Sequence, residues 1–97
     1  MAYVIGMISG TSLDGCDAAL VEINEEQVKL SGFVTEPMPE KLRQKILDCC
    51  SLERSNVGLV CSLNVEIGHW FAETARALSR QTGVPFSQIA CIGSHGQ

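Results

Sequence analysis

The chain has 97 residues, 45% of them hydrophobic and 19% charged, with a formal net charge of −4. That suffices for one small globular domain, while the acidic balance and the lack of a polybasic run argue against a nucleic-acid partner. No apolar run approaches the roughly 18 residues of a membrane span, and no signal peptide opens the sequence, which predicts a cytoplasmic protein with no membrane partner.

Ala2 to Ile8 (AYVIGMI) and Cys16 to Ile23 (CDAALVEI) are short, mostly apolar runs bounded by turn residues. They read as strands, and their near-continuous apolar character predicts burial on both faces. Between them, Ser9 to Asp17 packs two glycines, three hydroxyls and two carboxylates into nine positions. Glycine supplies positive φ there, and Ser, Thr and Asp bond nearby backbone, so the unit reads as strand, tight polar turn, strand.

Two familiar motifs fit this turn poorly. Gly10 and Gly15 have Walker spacing, but Cys16-Asp17 stands where Lys-Ser/Thr is required, and a strand rather than a helix follows. Gly10-Thr11-Ser12-Leu13-Asp14 has Asp14 at the second glycine of a nucleophile elbow, again with no helix behind it. A glycine-containing turn can nevertheless gather backbone N–H groups into an anion-binding concavity. The Thr11 and Ser12 hydroxyls would add donors, and Asp14 or Asp17 would hold Mg²⁺ through water, since that ion favours carboxylates plus phosphates. The same composition also describes an ordinary hairpin turn.

A third strand is predicted over Val28 to Glu36, an edge strand with a bulge at Gly32. Pro37 and Pro39 then break the pattern. Leu42, Ile46 and Cys49 recur at four and three, an amphipathic helix from Glu40 to Cys50 with Pro39 in its first turn. The second helix spans Asn56 to Thr82, about 40 Å at 1.5 Å per residue. Its apolar stripe is Val57, Val60, Leu63, Ile67, Trp70/Phe71, Thr74, Ala75 and Leu78. Ser55 or Asn56 caps its start and Gly83 its end, and Gly68 is a candidate kink. Trp70 is expected in the core, with a dimer contact as the alternative, and His69 is expected in solvent.

Ile89 to Ile92 reads as a buried final strand, followed by Gly93-Ser94-His95-Gly96-Gln97. A buried strand with nothing after it to cover it is expected of a piece of a longer protein. The five cysteines (Cys16, Cys49, Cys50, Cys61 and Cys91) are odd in number and show no CxxC, which argues against a disulfide framework. Cys16, Cys61 and Cys91 are expected to be small buried hydrophobes. Cys61, His69, Cys91 and His95 match no zinc spacing.

The order strand-strand-strand-helix-helix-strand is that of an α/β ribonuclease H-like lobe. A last strand parallel to the first, reached by a right-handed crossover, would bring the turn at Gly10–Asp17 and the loop at 93–97 to one cleft outside the strand ends. GMISGTSLDGCDAALVEI together with Gly93-Ser94-His95-Gly96-Gln97 resembles, in order, the two signatures of the anhydro-N-acetylmuramic acid kinases. These are members of the actin/hsp70/sugar kinase superfamily. The resemblance covers all 97 residues, as the N-terminal part of the first ATPase-like lobe.

It implies an ATP-dependent kinase that opens 1,6-anhydro-N-acetylmuramic acid with water and phosphorylates it to the 6-phosphate in cell-wall recycling. Gly10, Thr11, Ser12, Leu13, Asp14, Gly15, Cys16 and Asp17 become the ATP phosphate loop. Asp14 becomes the water-mediated Mg²⁺ contact, and Ser94, His95 and Gln97 line the sugar side. The base that activates water belongs to a later part of the family's chain, so no catalytic residue is expected here and the segment alone is expected to be inactive. Ile8 stands where the wider superfamily has an aspartate, and Cys16 where a valine is common. The rivals are a non-catalytic nucleotide-binding half-lobe, a kinase for a different small sugar, and a serine hydrolase built on Ser12 and His95.

Overall fold

The computed structural model describes residues 2–96; Gln97, expected on the sugar side, lies outside them. Three strands come first: β1 (Ala2–Ile8), β2 (Gly15–Ile23) and β3 (Val28–Pro37). They form an antiparallel meander, with Ile8 opposite Asp17 and Gly15 opposite Pro37. Two helices follow, α1 (Glu40–Cys49) and α2 (Val57–Thr82), then a 3-10 turn at Phe86–Gln88 and β4 (Ile89–Ser94). The sheet order is β3-β2-β1-β4, and β4 runs parallel to β1 with Ser94 beside Met7.

Local chemistry explains most boundaries. The Asn56 side chain accepts a hydrogen bond from Leu59 N at 2.8 Å, satisfying one of the orphan donors of the first turn of α2. Gly83 ends that helix in the left-handed region at φ 75°, which glycine adopts without a Cβ clash. Asn24 makes the β2–β3 turn by accepting from the backbone N–H groups of Glu26 and Gln27.

Alternation along the strands sends Ile5 and Met7 of β1 and Cys16, Ala18 and Leu20 of β2 to one face, where they are buried. Leu63, Phe71, Ala75 and Leu78 of α2 and Leu42 and Ile46 of α1 complete that core. Trp70 belongs to it too, as expected, edge-on to Phe71 with ring centroids 5.6 Å apart. Close approach of α2 to the sheet depends on Gly32. A Cβ there would stand 2.3 Å from Thr82 Cγ2 and 3.4 Å from Leu78 Cδ1. The ladder slips beside it, between Leu20 and Val21, where Ser31 is the extra residue of β3.

Three expectations need correction. Within this chain β1 and β2 are buried on one face rather than two, because both helices pack on the same side; Ile8 and Ile23 are exposed. β4 is not buried within this chain: apart from half-buried Ile89 its residues are exposed, since among the described residues it forms a sheet edge. Cys61 and Cys91 are therefore exposed rather than buried, and only Cys16 is fully buried. Cys91 sits on that edge strand, and Cys61 falls outside the covered stripe of α2, whose first turn also leaves Val57 and Val60 exposed.

Two glycine substitutions separate these packing effects. Gly32→Ala is expected to destabilise by about 1–3 kcal/mol, because Thr82 is short, branched and held by its bond to Leu78 O, 2.9 Å. Gly68→Ala, whose added methyl meets nothing within 4 Å, is expected to stabilise α2 by about 0.5–1 kcal/mol. Urea denaturation midpoints measure both, and a neutral Gly32→Ala would contradict the close approach.

Candidate functional site

The bend between β1 and β2 is built from both sides. Ser9, directly after β1, is buried. Leu13 N donates to Gly10 O at 3.2 Å and closes a turn. Leu13 itself has φ 56°, a left-handed conformation that costs a branched residue about 1–3 kcal/mol unless its surroundings enforce it. The enforcement is visible: its side chain is buried in the main core. Asp14 O accepts from Met38 N at 3.0 Å, which ties the bend to the segment entering α1. A Cβ on Gly15 would stand 2.9 Å from Glu36 O, so the bend can press against β3 only with glycine there.

This framework leaves Gly10, Thr11, Ser12 and Asp14 exposed, while Leu13, Gly15 and Cys16 are buried. Ser12 Oγ donates to Asp14 Oδ1 at 2.9 Å. Thr35 Oγ1 donates to Asp17 Oδ1 at 2.6 Å, which engages that carboxylate across the β2–β3 ladder. Ser12 thus points to Asp14, not to His95, and β2 follows Asp14 directly. The strand-to-helix elbow that a serine hydrolase needs is not formed.

The end of β4 lies beside this bend. His95 N donates to Met7 O at 2.9 Å, extending the parallel ladder by one bond. Gly96, at φ 84°, donates through its N–H to Ser94 Oγ at 3.2 Å. Ser94 and His95 are exposed. Ser94 and Gly96 line a cavity of about 320 Å³ whose other wall is Asn64, Ile67, Gly68 and Phe71 of α2. A larger cavity, about 580 Å³, lies between the end of β3 and the two helices and includes no residue of the bend. On its wall Lys45 Nζ bonds Glu66 Oε1 at 2.6 Å, and Glu66 Oε2 is buried with no partner among the described residues.

Sequence reading missed Asn64 and Gly68 as residues that line one cavity with Ser94, and Thr35 as the partner of Asp17. Gly68 alone carried a signal, as a glycine inside a helical pattern. Among the described residues no three His, Cys, Asp or Glu side chains converge to hold a metal ion, and no helix is long and apolar enough to cross a membrane.

Burial pushes the Cys16 thiol above its ordinary value of 9.0; a bond with the Thr74 hydroxyl acts the other way, and the Asp17 carboxylate adds to the rise. The neutral thiol is therefore the form the fold favours. Its contribution is complete below pH 9.0 and is lost as pH rises through the higher folded value. Denaturation midpoints should fall on alkaline titration above that pH, and Cys16→Ala should flatten the fall. An identical alkaline slope in the variant would contradict the buried thiol.

A family model described as anhydro-N-acetylmuramic acid kinase matches residues 2–97. A relative of that name from Vibrio vulnificus (strain CMCP6) is 47% identical over 93 residues, covering 96% of this chain and 25% of the relative. One from Photobacterium profundum is 45% identical with the same coverage. One from Bacillus thuringiensis subsp. konkukian (strain 97-27) is 41% identical over 99 residues, covering 98% of this chain and 26% of the relative. The chain thus spans about a quarter of the length of these curated relatives.

Proposed function

The chain belongs to the anhydro-N-acetylmuramic acid kinase family, and from that premise we propose that a full-length protein carrying it is an ATP-dependent sugar kinase of the cytoplasm. It would add water to 1,6-anhydro-N-acetylmuramic acid and transfer the γ-phosphoryl group of ATP to the freed 6-oxygen. The products are N-acetylmuramic acid 6-phosphate and ADP. The present chain would be the opening part of its first ATPase-like lobe.

The observation that carries this reading is the parallel pairing of β1 with β4. It brings the strand that leads into the Gly10–Asp14 bend alongside the strand that leads into the Ser94–Gly96 turn, and one hydrogen bond, His95 N to Met7 O, ties that turn to β1. A two-substrate phosphoryl transfer needs such neighbours, one for the phosphates and one for the acceptor, because its catalysis is mainly positioning and charge stabilisation.

Roles divide by exposure. Gly10, Thr11 and Ser12 would meet phosphate oxygens through backbone N–H and hydroxyl donors. Leu13, Gly15 and Cys16 are buried, and they would shape the bend rather than touch the nucleotide. Asp17, engaged by Thr35, would brace it. Asp14 fits a water-mediated Mg²⁺ contact: it is exposed and has a carboxylate oxygen beyond the one Ser12 uses. The donor set also suits that ion, which is commonly held by one or two carboxylates together with substrate phosphates. Its contribution when bound with the nucleotide is to offset phosphate charge. Ser94 and His95 would face the sugar; Gln97, expected there too, lies outside the described residues. No residue of this chain is assigned as the base that activates water.

The test mixes the full-length protein with Mg-ATP and the anhydro sugar in ¹⁸O-water, with mass spectrometry of the product. The 6-phosphate should appear with one ¹⁸O at C1. Asp14→Asn and Thr11→Ala should each lower kcat/KM about tenfold or more, the loss of roughly 1.4 kcal/mol of transition-state stabilisation. Asp17→Asn, which can still accept from Thr35, should lose less. Absence of the phosphorylated sugar, or unchanged rates in both loop variants, would refute the assignment.

A further inference from the structure

We infer that the middle of α2 is a wall of the acceptor subsite, with Gly68 setting its depth and Asn64 offering its polar contact. The inference rests on the proposed kinase reading and goes beyond it by bringing in a helix that neither sequence motif contains.

Gly68 is the first observation. It sits inside a helix of 26 residues, where glycine is less favourable than alanine. Packing within this chain does not require it, because a Cβ at that position meets no atom of the described residues within 4 Å. What the missing side chain leaves is open space, and Gly68 borders the cavity of about 320 Å³ that Ser94 and Gly96 also border. A residue that weakens its own helix and relieves no clash fits a role in the space beside it.

The second observation is spacing. Asn64 and Gly68 are one turn apart, and Ile67 and Phe71 are one turn apart beside them, so the four form one continuous face. All four line the cavity. The face offers an apolar base, a recess, and an exposed carboxamide able to donate and accept. That chemistry suits a compact polar molecule with both apolar and hydrogen-bonding edges, such as an N-acylated sugar ring. The volume is at the lower end of the ~300–1,000 Å³ usual for small-molecule pockets, which favours the smaller of the two substrates over the nucleotide. The opposite wall supplies Ser94, so the acceptor would be held between β4 and α2, next to the bend.

Steady-state kinetics of the full-length protein test this, with the anhydro sugar and ATP varied separately and thermal melts run in parallel. Gly68→Val, which fills the recess, should raise KM for the sugar about tenfold or more and leave KM for ATP within about twofold. Asn64→Ala should raise sugar KM about tenfold, as loss of one good hydrogen bond would. Gly68→Ala should melt higher than the parent yet bind sugar more weakly, a split that a purely structural role for the glycine would not produce. If the parent enzyme is active and all three variants keep its sugar KM, or if ATP KM shifts equally, the α2 wall is wrong while the kinase reading stands. A parent that phosphorylates no sugar removes both.

Discussion

The pairing on which the site depends is the parallel ladder between the first strand and the last. β1 and β4 are separated by the whole β2–β3 meander and both helices, yet Met7 lies beside Ser94 and Met7 O accepts from His95 N. Parallel strands end on the same side, so two polar segments some eighty residues apart in sequence become neighbours without either adopting an unusual shape. Were β4 antiparallel, the Gly93–Gly96 segment would lie at the opposite end of the sheet from the bend.

The sheet that carries this ladder is backed by α2, which packs over its β2 and β3 strands. α2 buries Leu63, Trp70, Phe71, Ala75 and Leu78 in the core it shares with the strands, and each large apolar side chain fully buried there contributes about 1.5–3 kcal/mol. The absence of a side chain at Gly32 lets the far end of α2 settle onto β3. The near end, by contrast, stands clear of the core, with Val57 and Val60 exposed. The same helix therefore anchors the sheet with one half and borders both cavities with its middle turns.

Much of this was legible in the sequence wherever the controlling physics is local. Asn56 and Gly83 mark the ends of α2 because capping acts within three or four residues. The three strands of the meander are bounded by their own turn residues, and Gly32 marked its bulge. The exposure of Cys61 and Cys91 was not legible, because burial depends on what lies across the sheet or beside the helix and not on an element's own composition. The Asp17–Thr35 bond, and the cavity that Asn64 and Ser94 both line, bring together residues 18 and 30 positions apart. Nothing in a one-residue or one-turn pattern encodes such distances. The GTSLDG motif itself was conspicuous, but its division into exposed Gly10, Thr11, Ser12 and Asp14 and buried Leu13 and Gly15 needed the register of β2 on β3.

Leu13 carries a further consequence. Its left-handed backbone is fastened by a side chain sunk in the core, and the carbonyl of the next residue is fastened to Met38. The bend's conformation is thus tied to the folding free energy of the core beneath it. A bend anchored in this way needs little ordering to present its exposed Gly10, Thr11, Ser12 and Asp14 in a fixed arrangement, because the cost of that ordering is already met by burial of Leu13.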